Sequence, residues 1–133
     1  MKGENIYIKY TRLTSNPQLL SHTHITDTLP TTSDTEFGPL YYVAGRDSAT
    51  ESHIFKAAVY NSTEPVPVSL TFEGVKAGSP AELTVLTAPD AFAMNEVGGA
   101  NLVDTKVQTV EAGKGGAFEF KLPDLSIAVL RTT

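Results

Sequence analysis

At 133 residues, 41% of them hydrophobic and none of them cysteine, the chain suits one domain with its own core. The lack of cysteine excludes disulfides, thiolate nucleophiles and cysteine-ligated metal sites. A formal net charge of −5, with ten scattered lysines and arginines, offers no basic surface for nucleic acid or an anionic membrane. No apolar run approaches the roughly 20 residues of a membrane span, and the first residues lack the apolar stretch of a signal peptide.

Residues 1–27 are predicted to be a leader of uncertain order. Only Asn5–Tyr10 alternates in the way a short strand would. Residues 28–133 are predicted to form one domain, entered through a loop of short polar residues that compete for the backbone. Gly38-Pro39 closes that loop, so regular structure is expected to start just after it.

About seven strands are predicted after residue 38, because stretches rich in branched and aromatic side chains alternate with Gly, Pro, Asn and Asp turns. No segment has a helical period of useful length. This spacing predicts an all-β fold, either an antiparallel sandwich or a small barrel. The predicted strands are Leu40–Ala44, His53–Asn61, Val66–Phe72, Ala81–Leu86, Leu102–Val110, Phe118–Leu122 and Leu125–Val129.

The three histidines do not predict a metal site. His22 and His24 are two residues apart and would share one face of a strand, where they would reach a metal together. No third ligand is evident, and the segment is a polar loop. His53 opens a strand and is predicted to be a surface or rim residue. We therefore expect no metal and no cofactor.

No catalytic residue is predicted from the carboxylates. A glycosidase needs two carboxylates about 5 to 10 Å apart across a sugar-binding cleft. The spacing of the carboxylates along this sequence does not show which two would form such a pair. They are interpreted as turn-forming and solvated side chains. The candidates weighed are Asp27, Asp34 and Glu36 before the first strong strand, and Asp90 and Glu96 in the long loop after Leu86.

One modification site is predicted. Asn61-Ser62-Thr63 is an acceptor for N-linked glycan, and its middle residue is not proline. The site matters only if the chain enters the secretory pathway.

Three tyrosines suggest a sugar-stacking platform, namely Tyr41, Tyr42 and Tyr60. Neighbours in a strand point to opposite faces, so Tyr41 and Tyr42 cannot both contribute. Packing in a core or an interface is the favoured interpretation.

Four stretches in one order carry a family resemblance. They are TLPTTSDTEFGPLYYVAGRD from residue 28, HIFKAAVYNST from 53, LTVLTAPDAFAMNEVGGANLV from 83 and FEFKLPDLSIAVL from 118. Together they resemble the C-terminal domain of fungal α-L-arabinofuranosidases of glycoside hydrolase family 51. The resemblance implies a jelly-roll-like antiparallel β-sandwich of about seven to eight strands.

The resemblance also implies a function. Such enzymes are secreted and remove terminal, non-reducing α-L-arabinofuranosyl groups from arabinoxylan and arabinan by a retaining mechanism. Their two catalytic glutamates lie on a (β/α)₈ barrel, on which the sandwich packs. A barrel needs ~250 residues, so neither glutamate is carried over. Asn95-Glu96 superficially resembles the barrel's Asn-Glu pair, but it lies in a loop of the sandwich.

The leading hypothesis is therefore a C-terminal sandwich that supports a barrel partner, acts on arabinose-containing polysaccharide only through it, and exposes an apolar patch where the barrel is missing. The alternative is a non-catalytic carbohydrate-binding module, which the absence of tryptophan disfavours. An independent hydrolase that uses loop carboxylates such as Glu96 is the third reading.

Overall fold

The computed structural model describes residues 4–8, 27–28, 31–33 and 38–133. These residues form one short 3₁₀ helix, Lys114–Gly116, and ten strands. The strands are β1 (Glu4–Ile8), β2 (Asp27–Thr28), β3 (Thr31–Ser33), β4 (Leu40–Arg46), β5 (His53–Val59), β6 (Val66–Phe72), β7 (Pro80–Thr87), β8 (Asp104–Glu111), β9 (Ala117–Leu122) and β10 (Ser126–Thr132). No helix in this part of the chain is long and apolar enough to cross a membrane.

The strands pair into two sheets. One has four strands in the order β3-β1-β6-β9, and the other has six in the order β2-β4-β5-β10-β7-β8. All neighbours are antiparallel except β1 and β6, which run parallel. Seven strands follow residue 38, so the prediction of an all-β antiparallel sandwich is confirmed. The domain boundary at residue 28 stays a prediction.

The core lies between the sheets and is built by alternating burial along strands such as β6, β9 and β10. In β6 every second residue is buried, as the period-two pattern predicted, and Leu70 is fully enclosed. Phe72 meets Phe118 of β9 edge to face, with ring centroids 6.5 Å apart. Phe55 of β5 is also fully buried. Burial of each such side chain stabilises the fold by about 1.5–3 kcal/mol.

The turn between β4 and β5 is organised by Asp47. Its carboxylate accepts a hydrogen bond from the Ala49 N–H at 3.0 Å, and its own N–H donates to the Ser52 carbonyl at 2.9 Å. Arg131 of β10 reaches the same carboxylate at 3.4 Å. The Ala49 N–H, helped by Thr50 and Arg131, lowers the pKa of Asp47 below its ordinary value of 3.8, although burial opposes this. Asp47 is thus a structural carboxylate.

The chain crosses from the four-stranded to the six-stranded sheet between β9 and β10. Ser126 is buried, and its hydroxyl donates to the Pro123 carbonyl at 2.7 Å. The Asp124 carboxylate accepts the Ser62 N–H at 3.1 Å, which ties the crossing to the β5–β6 connection. These bonds satisfy polar groups that would otherwise cost about 1–3 kcal/mol each when buried.

Candidate docking surface

The outer face of the six-stranded sheet carries apolar side chains in two rows that cross the strands. The register aligns Tyr41, Ala58, Ile127 and Leu86 in the first row. The second row aligns Val43, Lys56, Val129, Thr84 and Val107. We call the apolar members of both rows the outer patch: Tyr41, Val43, Ala58, Leu86, Val107, Ile127 and Val129.

The outer patch is open to solvent. Ile127 is 56% exposed and Val107 is 60% exposed, while Leu86 and Val129 are half-buried by their neighbours. Five strands spaced ~4.8 Å apart make the patch about 19 Å wide, and rows two residues apart add ~7 Å of depth. An exposed apolar surface typically marks a protein contact, and the exposed Lys56 lies within this one, between Val43 and Val129.

A polar rim bounds the patch at one end. The next row along the strands contains Arg131 and Glu82 as cross-strand partners. Arg131 also contacts Thr50 Oγ1 at 3.3 Å and Asp47, so its side chain is held at the end of β10. Ile54 of the same row is buried. The apolar surface therefore stops at this row.

At the opposite end of the sheet lies the β7–β8 loop, residues 88–103. Asn95 holds the loop together, because its Oδ1 accepts the Val103 N–H at 2.8 Å and its Nδ2 donates to the Val103 carbonyl at 3.3 Å. The backbone also bridges Asn95 and Asn101. Phe92 is 89% exposed and Val97 is fully exposed. The loop has a fixed backbone and presents apolar side chains to solvent.

Of the carboxylates weighed as catalytic candidates, the structure describes the side chains of Asp90 and Glu96, and both are solvent-exposed loop residues. Asp90 is exposed and its Oδ1 accepts the Phe92 N–H at 2.8 Å, which is turn chemistry. Glu96 is exposed and lies beside Gly99. Asp27 belongs to β2, and Asp34 and Glu36 lie outside the described residues. The interpretation of Asp90 as a turn residue fits this geometry.

No cluster of three or more His, Asp or Glu side chains that would hold a metal occurs within the described ranges. His22 and His24 lie outside those ranges. His53 is half-buried at the rim of the core, where its ring stacks on Phe72 with centroids 4.8 Å apart. Burial lowers its pKa below the ordinary 6.5, and the charge of Arg46 lowers it further. His53 is therefore a packing residue.

The tyrosines separate as strand geometry requires. Tyr42 faces the core, with its ring centroid 5.7 Å from that of Phe55. Tyr41 lies on the outer face, and its hydroxyl end folds against Gly38. Tyr60 follows β5 and is 60% exposed. A platform of all three rings is absent from this surface.

The outer patch had a signal in the sequence. Strands with one solvent-exposed face alternate apolar and polar residues. Consecutive apolar residues occur instead in Tyr41-Tyr42-Val43 and Ile127-Ala128-Val129. Such runs indicate a strand with a second surface to cover. Which residues share that surface depends on the strand pairing.

Comparison with known sequences places the chain beside carbohydrate-active enzymes. The profile of the α-L-arabinofuranosidase C-terminal domain family matches residues 9–126. α-L-Arabinofuranosidase A of Aspergillus niger is 40% identical over 99 residues, which are 74% of this chain and 14% of that protein. Probable α-L-arabinofuranosidase A of Aspergillus terreus is 38% identical over the same shares of the two chains. The chain thus spans 14% of the length of these relatives.

Solved structures share the fold. The α-L-arabinofuranosidase of Thermotoga maritima, crystallised with arabinose, superposes with a TM-score of 0.66 and 18% identity over 80% of this chain and 26% of that one. The GH51 arabinofuranosidase of Xanthomonas axonopodis pv. citri gives 0.64 and 19% identity over 80% and 23%. In both, the matched part is a minor portion of a longer protein.

Proposed function

This chain belongs to the α-L-arabinofuranosidase C-terminal domain family, and from that premise we propose that it serves as the C-terminal β-sandwich of a longer family 51 α-L-arabinofuranosidase. The carrying observation is the outer patch, an apolar sheet face that a neighbouring domain would cover. The small share of each relative that the chain spans, 14%, supports a larger parent enzyme.

The parent enzyme would hydrolyse terminal, non-reducing α-L-arabinofuranosides in arabinoxylan and arabinan outside the cell. Its acid/base and nucleophile would be two glutamates on a (β/α)₈ barrel of ~250 residues. The sandwich would contribute neither group. The Asp90 carboxylate accepts an N–H of its own turn and Glu96 is an exposed loop residue, which supports this part of the proposal.

The sandwich would act by stabilising the barrel. Interfaces between domains of one chain bury about 600–1,500 Å², and each Å² of apolar surface removed from water contributes about 25 cal/mol. Ile127, Leu86 and Val107 lie on adjacent strands and would be covered together. The polar row with Arg131 and Glu82 would form the rim of that contact.

Two measurements test this function. Hydrolysis of p-nitrophenyl α-L-arabinofuranoside is compared between the purified chain and an arabinofuranosidase that carries it. We expect no hydrolysis by the purified chain and hydrolysis by the enzyme that carries it. Turnover by the chain alone would overturn the proposal that the catalytic glutamates lie on a barrel. Adding the chain to a barrel that lacks its sandwich is expected to raise the barrel's melting temperature, and no rise would count against the supporting role.

A carbohydrate-binding module is the second candidate, favoured by Tyr60 and Tyr41, which are both exposed at one end of the sheet. Aromatic rings of this kind can stack on sugar rings. The fold of Tyr41 against Gly38 reduces the ring surface on offer. Retention of the chain on insoluble arabinoxylan, lost in Tyr60→Ala, would favour this candidate.

A further inference from the structure

We propose that Asn61 carries an N-linked glycan and that this glycan marks a part of the domain that stays in solvent when the barrel is docked. The inference rests on the proposed function because it needs a chain that enters the secretory pathway. Asn61-Ser62-Thr63 supplies the required acceptor spacing.

The structure presents Asn61 at a sharp turn. β5 ends at Val59, and Asn61 adopts a left-handed backbone with φ of 62°. Asparagine accepts this conformation more readily than most residues do. Asn61 and Thr63, the two residues that define the acceptor, are both exposed. Within the part of the chain that the structure describes, the turn therefore has room for a bulky glycan.

The side chain of Asn61 is also available. Within the described residues its carboxamide makes no hydrogen bond, whereas the neighbouring polar groups are occupied. The Ser62 N–H donates to Asp124 Oδ1 at 3.1 Å, and the Ser62 hydroxyl donates to the Glu64 carbonyl at 2.5 Å. The turn is therefore fixed without using the amide that the glycan would occupy.

Tyr60 is an exposed aromatic residue directly before the acceptor asparagine. It directly precedes Asn61, and its N–H donates to the Pro39 carbonyl at 3.1 Å, which holds it at the end of the β4–β5 pair. Its ring is 60% exposed. An aromatic face beside the glycan would cover the apolar side of the sugar ring.

Asn61 lies at the end of the six-stranded sheet, two residues beyond Val59, which pairs with Ser126. It lies beyond the end of β5, whereas Ile127, Leu86 and Val107 lie on β10, β7 and β8. A glycan at Asn61 would keep a large partner away from the β4–β5 end. The barrel would then contact the β10–β7–β8 side of the outer patch.

Mass spectrometry tests the modification. The full chain is produced in yeast behind a secretion signal, and both the cell-associated and the secreted pools are digested with peptide N-glycosidase. We expect a glycan at Asn61 in both pools that is absent from Asn61→Gln and Thr63→Ala and kept in Thr63→Ser. Unmodified Asn61 in both pools of the parent chain would overturn the proposal.

A second measurement tests the solvent position. In an arabinofuranosidase that carries the chain, enzymatic removal of the glycan is expected to leave activity unchanged. A glycosylated enzyme that is less active or melts lower than Asn61→Gln would refute this placement. Glycosylation of Asn61 does not depend on docking to the barrel. If substitutions in the outer patch leave the barrel unaffected while Asn61 carries its glycan, the docking proposal fails and the glycosylation proposal stands.

Discussion

Ile127 of β10 and Leu86 of β7 are directly opposed cross-strand partners on the outer face of the six-stranded sheet. Ile127 is exposed and Leu86 is half-buried. An apolar pair on a solvated sheet face contributes little to stability, because each Å² of apolar surface left in water lacks the stabilisation of about 25 cal/mol that burial would give. The pair therefore belongs to the part of the outer patch that we propose a partner domain covers.

Replacing Ile127 with lysine is expected to separate folding from docking. The chain alone should change its free energy of unfolding by no more than about 0.5 kcal/mol, because the side chain is exposed. The enzyme that carries it should lose about 1–3 kcal/mol, because an unpaired charge would be buried at the contact. Urea denaturation of both proteins measures this.

Thr109→Lys is the matched control for Ile127→Lys. Thr109 is exposed and pairs with Glu82, in the polar row beyond the outer patch. It should change the free energy of unfolding of either protein by no more than about 1 kcal/mol, because a lysine opposite Glu82 at a solvated rim contributes little. Equal effects of the two substitutions on the longer enzyme would mean that the outer patch is not the contact.

Two adjacent glycines are expected to respond differently to alanine. Gly115 and Gly116 both have positive φ, 76° and 79°. A methyl group at Gly115 would meet open space, while one at Gly116 would collide with the carbonyl oxygen of Val75. Gly115→Ala should cost about 1–2 kcal/mol for the left-handed backbone alone, and Gly116→Ala about 3 kcal/mol or more, because overpacking adds to it. Equal midpoints in urea would contradict the close approach to Val75.

His53 is expected to make the fold sensitive to mild acid. Its pKa in the folded chain is below the ordinary 6.5, because of burial and then of Arg46. At a pH between the folded-state pKa and 6.5, the unfolded chain binds more protons than the folded chain does. The free energy of unfolding therefore falls as the pH drops below about 6.5. His53→Phe keeps an aromatic ring against Phe72 and removes the titration. A pH profile from 7.5 to 5 that has the same slope in both proteins would refute this.

Asp47 is expected to act at lower pH and with the same sign. Its pKa is lowered below 3.8, chiefly by the Ala49 N–H, so its contribution is present above 3.8 and is lost as the pH falls through the folded-state pKa. Asp47→Asn keeps an oxygen that can accept the Ala49 N–H but removes the charge. The acid limb of the stability profile should therefore be flatter in this variant, as followed by circular dichroism between pH 5 and 2. An unchanged limb would assign acid sensitivity to other carboxylates.

The strands were predictable because alternation and turn residues are local signals. Val66–Phe72 was predicted with its observed bounds. Other ends moved for reasons that are not local. β8 begins at Asp104 instead of Leu102, because the amide of Asn95 takes both backbone groups of Val103. β4 continues through Gly45 to Arg46, because the ladder with β5 extends to His53.

The composition of the outer patch was not predictable residue by residue. β10 comes last in the chain but lies between β5 and β7, so Ile127 meets Ala58 on one side and Leu86 on the other. Sequence order gives no direct signal for such an insertion, because the pairing is settled by the burial of the opposite face. The resemblance to a domain that packs on a barrel predicted that an apolar surface exists. The register of the six-stranded sheet shows which residues form it.

The amide of Asn95 is expected to control the order of the β7–β8 loop. Asn95→Asp keeps the acceptor for the Val103 N–H but replaces the donor with an oxygen that repels the Val103 carbonyl. The loss of about 1–1.5 kcal/mol would speed hydrogen exchange at Val103 by roughly tenfold. The midpoint of global unfolding should hardly change, because the loop is exposed and lies outside the core.

Asn101→Asp is the matched control for Asn95→Asp. Asn101 is exposed in the same loop and is bridged to Asn95 through its backbone. It adds the same charge without touching Val103. If both variants speed exchange equally, the added charge is responsible and the amide of Asn95 is not the device that fixes the loop. If only Asn95→Asp speeds hydrogen exchange, the side chain of Asn95 fixes the loop that presents the exposed Phe92 and Val97. The same substitution in the longer enzyme then shows whether an ordered β7–β8 loop matters for activity.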